Sequence, residues 1–329
     1  MAAAAPYTPY AQLTLPELAK RLDPNGDLAT IVESLNQENE ILYDAPWMEA
    51  NGIWTHKTVR RISLPTGTVR MLNAGVGSEA SKTQPIIEGI FMLESYNEVD
   101  CAIVDTAPDQ KSARNQEAIA TIEGMGQTFA NYLIYGNIIT TPERFQGLAP
   151  RMPGLAATQN VIGQGGTGSD LTSIFIVQWG PQRVFCIYPR GHVTAGVKHE
   201  DLGKVTKDDG SALMHEVYRD HFMVYAGLVV KDDRCIGRLA NIETSGASNT
   251  FDEDNLIRIL NRMPASGKGA SLYVNDTIQS QMEIALKDKT NVNYTPARGE
   301  GLAGEPVVYF RQCAVRKCDQ ISVTEAALS

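Results

Sequence analysis

The pattern with the clearest chemical meaning is Gly163-Gln-Gly-Gly-Thr-Gly168, a formal GxGxxG. Glycines so spaced let a backbone approach a pyrophosphate. A strand must lead in, and a helix must open on the last glycine so that phosphate meets its unpaired N–H groups. Here a loop-like stretch precedes the motif, and Ser173 to Trp179, with strand character, follows it. The expectation is a surface loop; a cytoplasmic nicotinamide-dependent oxidoreductase using Gly163–Gly168 is the enzymatic alternative. The other phosphate-like run, Ser266-Gly-Lys-Gly269, lacks the upstream glycine of a P-loop.

Four histidines, His192, His199, His215 and His221, fall among Glu200, Asp201, Glu216 and Asp220. Imidazoles beside carboxylates can bind metals, yet HExxH is absent and no interval suits a usual ligand pair. Solvated strands and loops are the expectation. Asp208-Asp209, Asp232-Asp233 and Asp252-Glu253-Asp254 suit turns and a helix start. The five cysteines (Cys101, Cys186, Cys235, Cys313, Cys318) form no CxxC pair and read as reduced thiols. With no nucleophile elbow either, the reading is of no enzyme, no catalytic or metal residues and no cofactor.

Length, charge and hydropathy bound the rest. A chain of 329 residues, 43% hydrophobic and 20% charged, can bury a core without metals or disulfides and suggests two domains. A net charge of -9 argues against a polyphosphate binder. No basic leader and no run of about 20 apolar residues is present, so a soluble, cytoplasmically made protein without a membrane partner is expected.

The elements form an α+β pattern with no repeat. Residues up to 27, with four prolines, read as an extended arm, and Leu28 to Leu42 as a helix behind Asp27. Lys57 to Leu72, interrupted at Leu64 to Gly67, and Ile86 to Val104 read as a long two-stranded excursion, locally basic through Lys57, Arg60, Arg61, Arg70 and Lys82. Such a hairpin is marginal alone and needs something to lie against. Ile119, Ile122, Met125, Phe129 and Leu133 then repeat at helical spacing between Pro108-Asp109 and Gly136. That predicts a helix of about 27 residues, or ~40 Å, which would act as a strut. Later strands are expected at Ile174–Trp179, Val184–Tyr188, Phe222–Val230, Cys235–Ile242, Ser271–Val274, Val307–Gln312 and Ala314–Lys317. Helices are expected from Asp252 to Met263, behind a Thr250/Glu253 capping box, and from Asp276 to Lys287 behind Asn275.

Several stretches, taken in order, resemble the major capsid proteins of short-tailed phages of the epsilon-fifteen kind. They include LNQENEIL (Leu35 to Leu42), PWMEAN (Pro46 to Asn51), TVRRISLPTGTVRMLNAGV (Thr58 to Val76) and MLESYNEVD (Met92 to Asp100). Others are LIYGN, FQGLAPR, VQWGPQRVFCIYPRG, HFMVYAGLVVKDDRCIGRLANI, LNRMP and VRKCDQI, reaching Ile321. The chain departs at Val69, where an aromatic residue is expected, and at the tip Gly77 to Ser81.

The resemblance implies the Hong Kong 97-type capsid fold. Residues 1–55 would be the N-terminal arm and first helix, 56–105 the extended loop, a β-hairpin reaching over a neighbour, and 106–150 the peripheral domain with its spine helix. Residues 151–300 would supply mainly the axial domain with parts of the peripheral domain, and 301–329 the strands returning to the latter. It further implies pentamers and hexamers of an icosahedral head enclosing double-stranded DNA, bound without sequence specificity. A decoration or cement protein, a portal and a scaffolding protein would be partners, with assembly in the bacterial host cytoplasm and residence in the virion. Arg60, Arg61, Arg70, Met71, Leu72 and Lys82 are the expected inter-subunit contacts, the arginines facing acidic surface on a neighbour. An encapsulin-like compartment is the alternative within the same fold. The lysine–asparagine cross-link of some such capsids is not carried over to Lys57 or Lys82.

Overall fold

The computed structural model of the chain describes residues 37–107, 109–155, 160–191, 196–208, 213–246, 248–288, 294–297 and 307–329. In chain order these form α1 (Ile41–Asp44), β1 (Trp47–Glu49), β2 (Thr55–Ser63), β3 (Lys82–Gly89), β4 (Phe91–Asp100), α2 (Cys101–Thr106) and α3 (Gln110–Tyr135). Next come β5 (Val161–Gly163), β6 (Leu171–Val177), β7 (Val184–Tyr188), β8 (Val197–Asp208), β9 (Met214–Val230) and β10 (Ile236–Glu243). The chain continues with α4 (Glu253–Arg262), β11 (Ser271–Val274), α5 (Asp276–Asp288), β12 (Tyr294–Ala297), β13 (Val307–Phe310) and β14 (Cys313–Lys317). The class is α+β, as expected. Two compact units result: Met92–Phe129 with Gly196–Tyr225, and Gln37–Phe91 with Ala130–Ala195 and Ala226–Ser329.

A seven-stranded sheet, ordered β12-β13-β14-β11-β6-β10-β5, organises the larger unit. Every residue of β6 is buried, which explains why Leu-Thr-Ser-Ile-Phe-Ile-Val shows no polar alternation. Against this sheet α4 packs Leu256, Ile259 and Leu260, and α5 packs Ile278 and Met282. These are one helix face each. At ~1.5–3 kcal/mol per buried side chain, the five give roughly 10 kcal/mol gross, which secures two helices too short to persist alone.

Both helices are capped by side chains. Asn275 accepts from the Ile278 N–H at 2.9 Å and donates to Thr172 at 2.8 Å. At α4 the cap is Asp252, accepting from Asp254 N–H at 3.1 Å, so Thr250 does not play the expected part. A further sheet of the same unit runs β1 parallel to β7 and β7 antiparallel to β9 (Val184↔Val230 to Ile187↔Gly227).

The smaller unit holds β4 beside β9, and β9 paired antiparallel with β8 from Val197↔Val224 to Asp208↔Met214. Val99, Ile103 and Val104 form its small core, with Tyr218 against them. Sequence reading missed β8 and the first half of β9. β8 is largely exposed, and the first half of β9 mixes exposed, half-buried and buried positions that are mostly polar, so the apolar alternation that betrays a half-buried strand is lacking.

The long helix is present as α3, 26 residues from Gln110 to Tyr135, or about 39 Å. Asp109 accepts from the Lys111 N–H at 3.0 Å and starts it. Gly136 stops it: a Cβ there would sit 2.5 Å from Tyr132 O and 2.7 Å from Phe145 O. The expected apolar stripe splits, however. Met125, Phe129 and Leu133 are buried, whereas Ile119 and Ile122 are 57% and 41% exposed.

Two other expectations need correction. The predicted Leu28–Leu42 helix lies outside the described residues up to 36, and residues 37–40 are not helical. Asn39 bridges Cys318, and Glu40 N–H donates to Lys317 O at 3.1 Å. The predicted strands Lys57–Leu72 and Ile86–Val104 are also redrawn. β2 ends at Ser63, ahead of Pro65 and Gly67. The return run breaks at Ile90, and its last four residues form α2, which Asp100 caps through Ala102 N–H at 2.8 Å.

Candidate functional site

The hairpin pairs β2 with β3 from Thr55↔Gly89 to Ser63↔Lys82. Residues 64–81 between them contain no strand and fold back only lightly. The Glu79 carboxylate accepts from Thr66 and Gly67 N–H at 2.8 and 3.1 Å, and Arg70 donates to Ala74 O at 3.0 Å. Asn73 takes φ 67°, and Ala74 N–H donates to Met71 O, closing a turn at the tip.

On this segment Val69, Met71 and Leu72 are 100%, 83% and 93% exposed. Arg61, Arg70 and Lys82 are exposed too. These five expected contact residues (Arg61, Arg70, Met71, Leu72, Lys82) thus share one projecting element. Arg60 differs, because its guanidinium pairs with Asp233 of the same chain. Beside it, the Arg234 guanidinium bonded to Asp232 holds that carboxyl below the usual range.

Sequence reading did not find the hairpin's root. Glu88, buried on β3, takes a two-pronged bond from Arg151, both distances 2.8 Å. Arg151 ends the 3₁₀ turn Ala149–Arg151 and also donates to Gln146 O at 3.0 Å. Opposite Glu88 in register is His56. Its ring meets Phe185 edge-on at 5.6 Å, and Nδ1 accepts from the Asn51 N–H at 3.2 Å. Burial first, and then the Lys231 charge, lowers the His56 pKa, so the ring is neutral at pH 7. Close backbone contact completes the root, since a Cβ on Gly227 would lie 2.5 Å from Gly89 O. The only sequence hints were a lone acid in Ile86-Ile-Glu-Gly-Ile-Phe91 and the arginine closing FQGLAPR.

The other chemical candidates resolve into structural roles. Gly163 ends β5, and the strand β6, not a helix, follows the glycine run. Gly166 is packed tight: a Cβ there would lie 2.7 Å from both Asn241 O and Leu171 Cδ2. The loop therefore lacks the helix N-terminus that dinucleotide binding requires. In the smaller unit a cavity of about 390 Å³ is lined by Arg114, His199, Asp201, Tyr218 and Asp220 among others. Its histidine, arginine and two aspartates satisfy one another: Arg114 reaches Asp201 at 2.9 Å and Asp220 at 2.8 Å, and His199 Nε2 lies 2.9 Å from Asp220. His221 stacks on Tyr96 at 4.2 Å instead of joining it. Among the described residues no group of His, Cys, Asp and Glu is placed to hold a metal; His192 lies outside them. All five thiols are buried and unbridged, and burial pushes Cys186 and Cys318 up to about 12. Among the described residues, no helix is long and apolar enough to cross a membrane.

A strut-length helix, a projecting hairpin with uncovered apolar residues and polar clusters that neutralise themselves define a structural protein, one that acts through contacts. Residues 23–329 match the family described as Major capsid protein GP7, and the chain belongs to that family. A chain of the bacteriophage Epsilon15 structure is 27% identical, with a TM-score of 0.71 over 96% of this chain and 97% of that one. The bacteriophage JBD30 capsid gives 12% identity and a TM-score of 0.48, covering 88% and 93%. The SrpI encapsulin of Synechococcus elongatus gives 13% and 0.45, covering 73% and 100%. No curated protein matches. The fold is the Hong Kong 97-type capsid fold, and the role is that of a structural capsid protein, self-assembling into a multimeric shell in the virion. The family implies a non-enzymatic role, and the encapsulin alternative is not favoured.

Proposed function

We propose that this subunit forms the pentamers and hexamers of an icosahedral head around double-stranded DNA, with the hairpin as a principal contact between copies. One observation carries the reading: Val69, Met71 and Leu72 stand 83–100% exposed on a segment without strands of its own. Fully covering each would contribute ~1.5–3 kcal/mol gross, whereas an exposed ion pair adds ~0–1. Apolar burial therefore dominates, while Arg61, Arg70 and Lys82 orient the approach to acidic surface on a neighbour. A net charge of -9 makes such surface plentiful. Arg60 already has a partner within its own chain, Asp233.

The domain assignment 1–55, 56–105, 106–150, 151–300 and 301–329 belongs to this proposal. So do assembly in the bacterial cytoplasm and a portal, a decoration protein and a scaffold as partners, with DNA held without sequence preference. The test compares the triple reversal Arg61→Glu/Arg70→Glu/Lys82→Glu with Met71→Asp/Leu72→Asp, by sedimentation and negative-stain microscopy. Both should leave the circular dichroism of the free subunit unchanged and cut particle yield, the apolar pair more severely. Normal particles from both would refute the reading.

A further inference from the structure

The hairpin is useful for assembly only if it leaves the body at a reproducible angle. Six strand positions separate Glu88 from Lys82, roughly 20 Å at ~3.3 Å per residue, so a tilt of about 10° at the root moves Lys82 by about 3–4 Å. That displacement equals a whole van der Waals contact distance of ~4 Å, and it grows toward the tip. Whatever fixes the root therefore fixes which neighbour the tip can meet.

Four features sit at or near that root. The Arg60–Asp233 pair is half exposed, with side chains 35% and 47% accessible, and such pairs hold weakly. The Gly89–Gly227 approach sets a distance, and the His56–Phe185 contact is an edge against a ring; both permit rocking. The Glu88–Arg151 pair is of another kind. Its side chains are only 8% and 13% accessible. Two parallel bonds from a planar guanidinium fix direction as well as distance, and Gln146 O and Leu228 O hold Arg151 itself at 3.0 and 3.4 Å. A buried ion pair adds little net stability compared with apolar packing of the same volume; its best-attested use is to specify one arrangement.

We propose that Glu88 and Arg151 are positioning residues for assembly, setting the angle at which the hairpin leaves the larger unit. This rests on the reading of the hairpin as the reaching element. Spin labels at Gln84→Cys, on the hairpin, and Gln182→Cys, on the body, both exposed, would report the angle in the free full-length chain. The five native thiols are buried and stay unlabelled. The parent should give one narrow distance distribution. Glu88→Gln and the milder Arg151→Lys, which keeps the charge but loses the fork, should broaden or shift it by several ångströms while the melting profile of the body persists. The same variants should replace uniform shells with mixed diameters, tubes or open sheets. An unchanged, narrow distribution in both folded variants would overturn the proposal. So would collapse of the subunit in both, since the pair would then hold the body and not the hairpin. A displaced hairpin that still yields normal shells would overturn the hairpin's assembly role, with the labels separately reporting the angle.

Discussion

Removing the Glu325 carboxylate should unfold the larger unit far more easily than its place near the chain's end suggests. Arg238 and Glu325 are both buried, their side chains 6% and 7% accessible, and meet at 2.9 Å. Arg238 also donates to Ser173 Oγ at 3.1 Å and to Met152 O at 3.3 Å. Glu325 accepts from the Tyr135 hydroxyl at 2.5 Å and from Ser173. Glu325→Ala leaves an unpaired guanidinium in the interior and strips a partner from two hydroxyls. Breaking a buried pair in this way costs about 3–5 kcal/mol, a fifth or more of a typical 5–15 kcal/mol stability. The double variant Arg238→Met/Glu325→Leu removes both charges and should lie within about 1–2 kcal/mol of the parent, because apolar replacements of buried pairs are often neutral. Urea unfolding of the free subunit, followed by fluorescence including Trp179 in the same unit, measures both. A single variant within about 1 kcal/mol of the parent would refute the stranded-charge reasoning. A double variant as weak as the single would refute it too.

Alkaline pH should loosen the same unit. Burial, and then the charges of Glu325 and Asp44, raise the phenols of Tyr135 and Tyr273. The folded chain keeps protons that an unfolded tyrosine releases above ~10, so stability is intact below that pH and falls above it. Tyr135→Phe with Tyr273→Phe should flatten the decline in melts taken at rising pH. Acid acts on the hairpin root with the opposite sense. Because burial and Lys231 lower the His56 pKa, the unfolded chain takes up a proton below ~6.5 that the folded ring resists, and stability falls as pH drops through the folded value. The difference in melting temperature between parent and His56→Gln should therefore change between pH 7 and 5; a constant difference would count against the mechanism. Finally, Gly227→Ala would push a Cβ to 2.5 Å from Gly89 O, which should cost about 1–3 kcal/mol in denaturant titrations.

Elements flagged by strong local chemistry were legible in the sequence. β7 and β11 have the predicted bounds, and α3 lies within two residues of its prediction because Asp109 and Gly136 flank it. β8 was invisible because twelve mostly exposed residues show no period. The hairpin strands were drawn too long for the reverse reason: Val69, Met71 and Leu72 look like strand core in a string of letters, yet they stand 83–100% exposed. The basic residues of the candidate site could be read directly, and the ordered blocks carried the family. Glu88 and Arg151 could not be paired by eye, being 63 positions apart. Nor could Arg60 be matched to Asp233, 173 positions away.

The bare loop at 64–81 also sets a clock on the free subunit. Three large apolar residues held clear of the body will adhere to whatever apolar surface arrives first. Incorrect partners gain with every moment of waiting. Slow, dilute release of new chains onto a growing edge favours the right encounter, whereas a sudden surplus favours clumping. Yield of good particles should thus depend on how fast the chain is made, not only on how much of it accumulates.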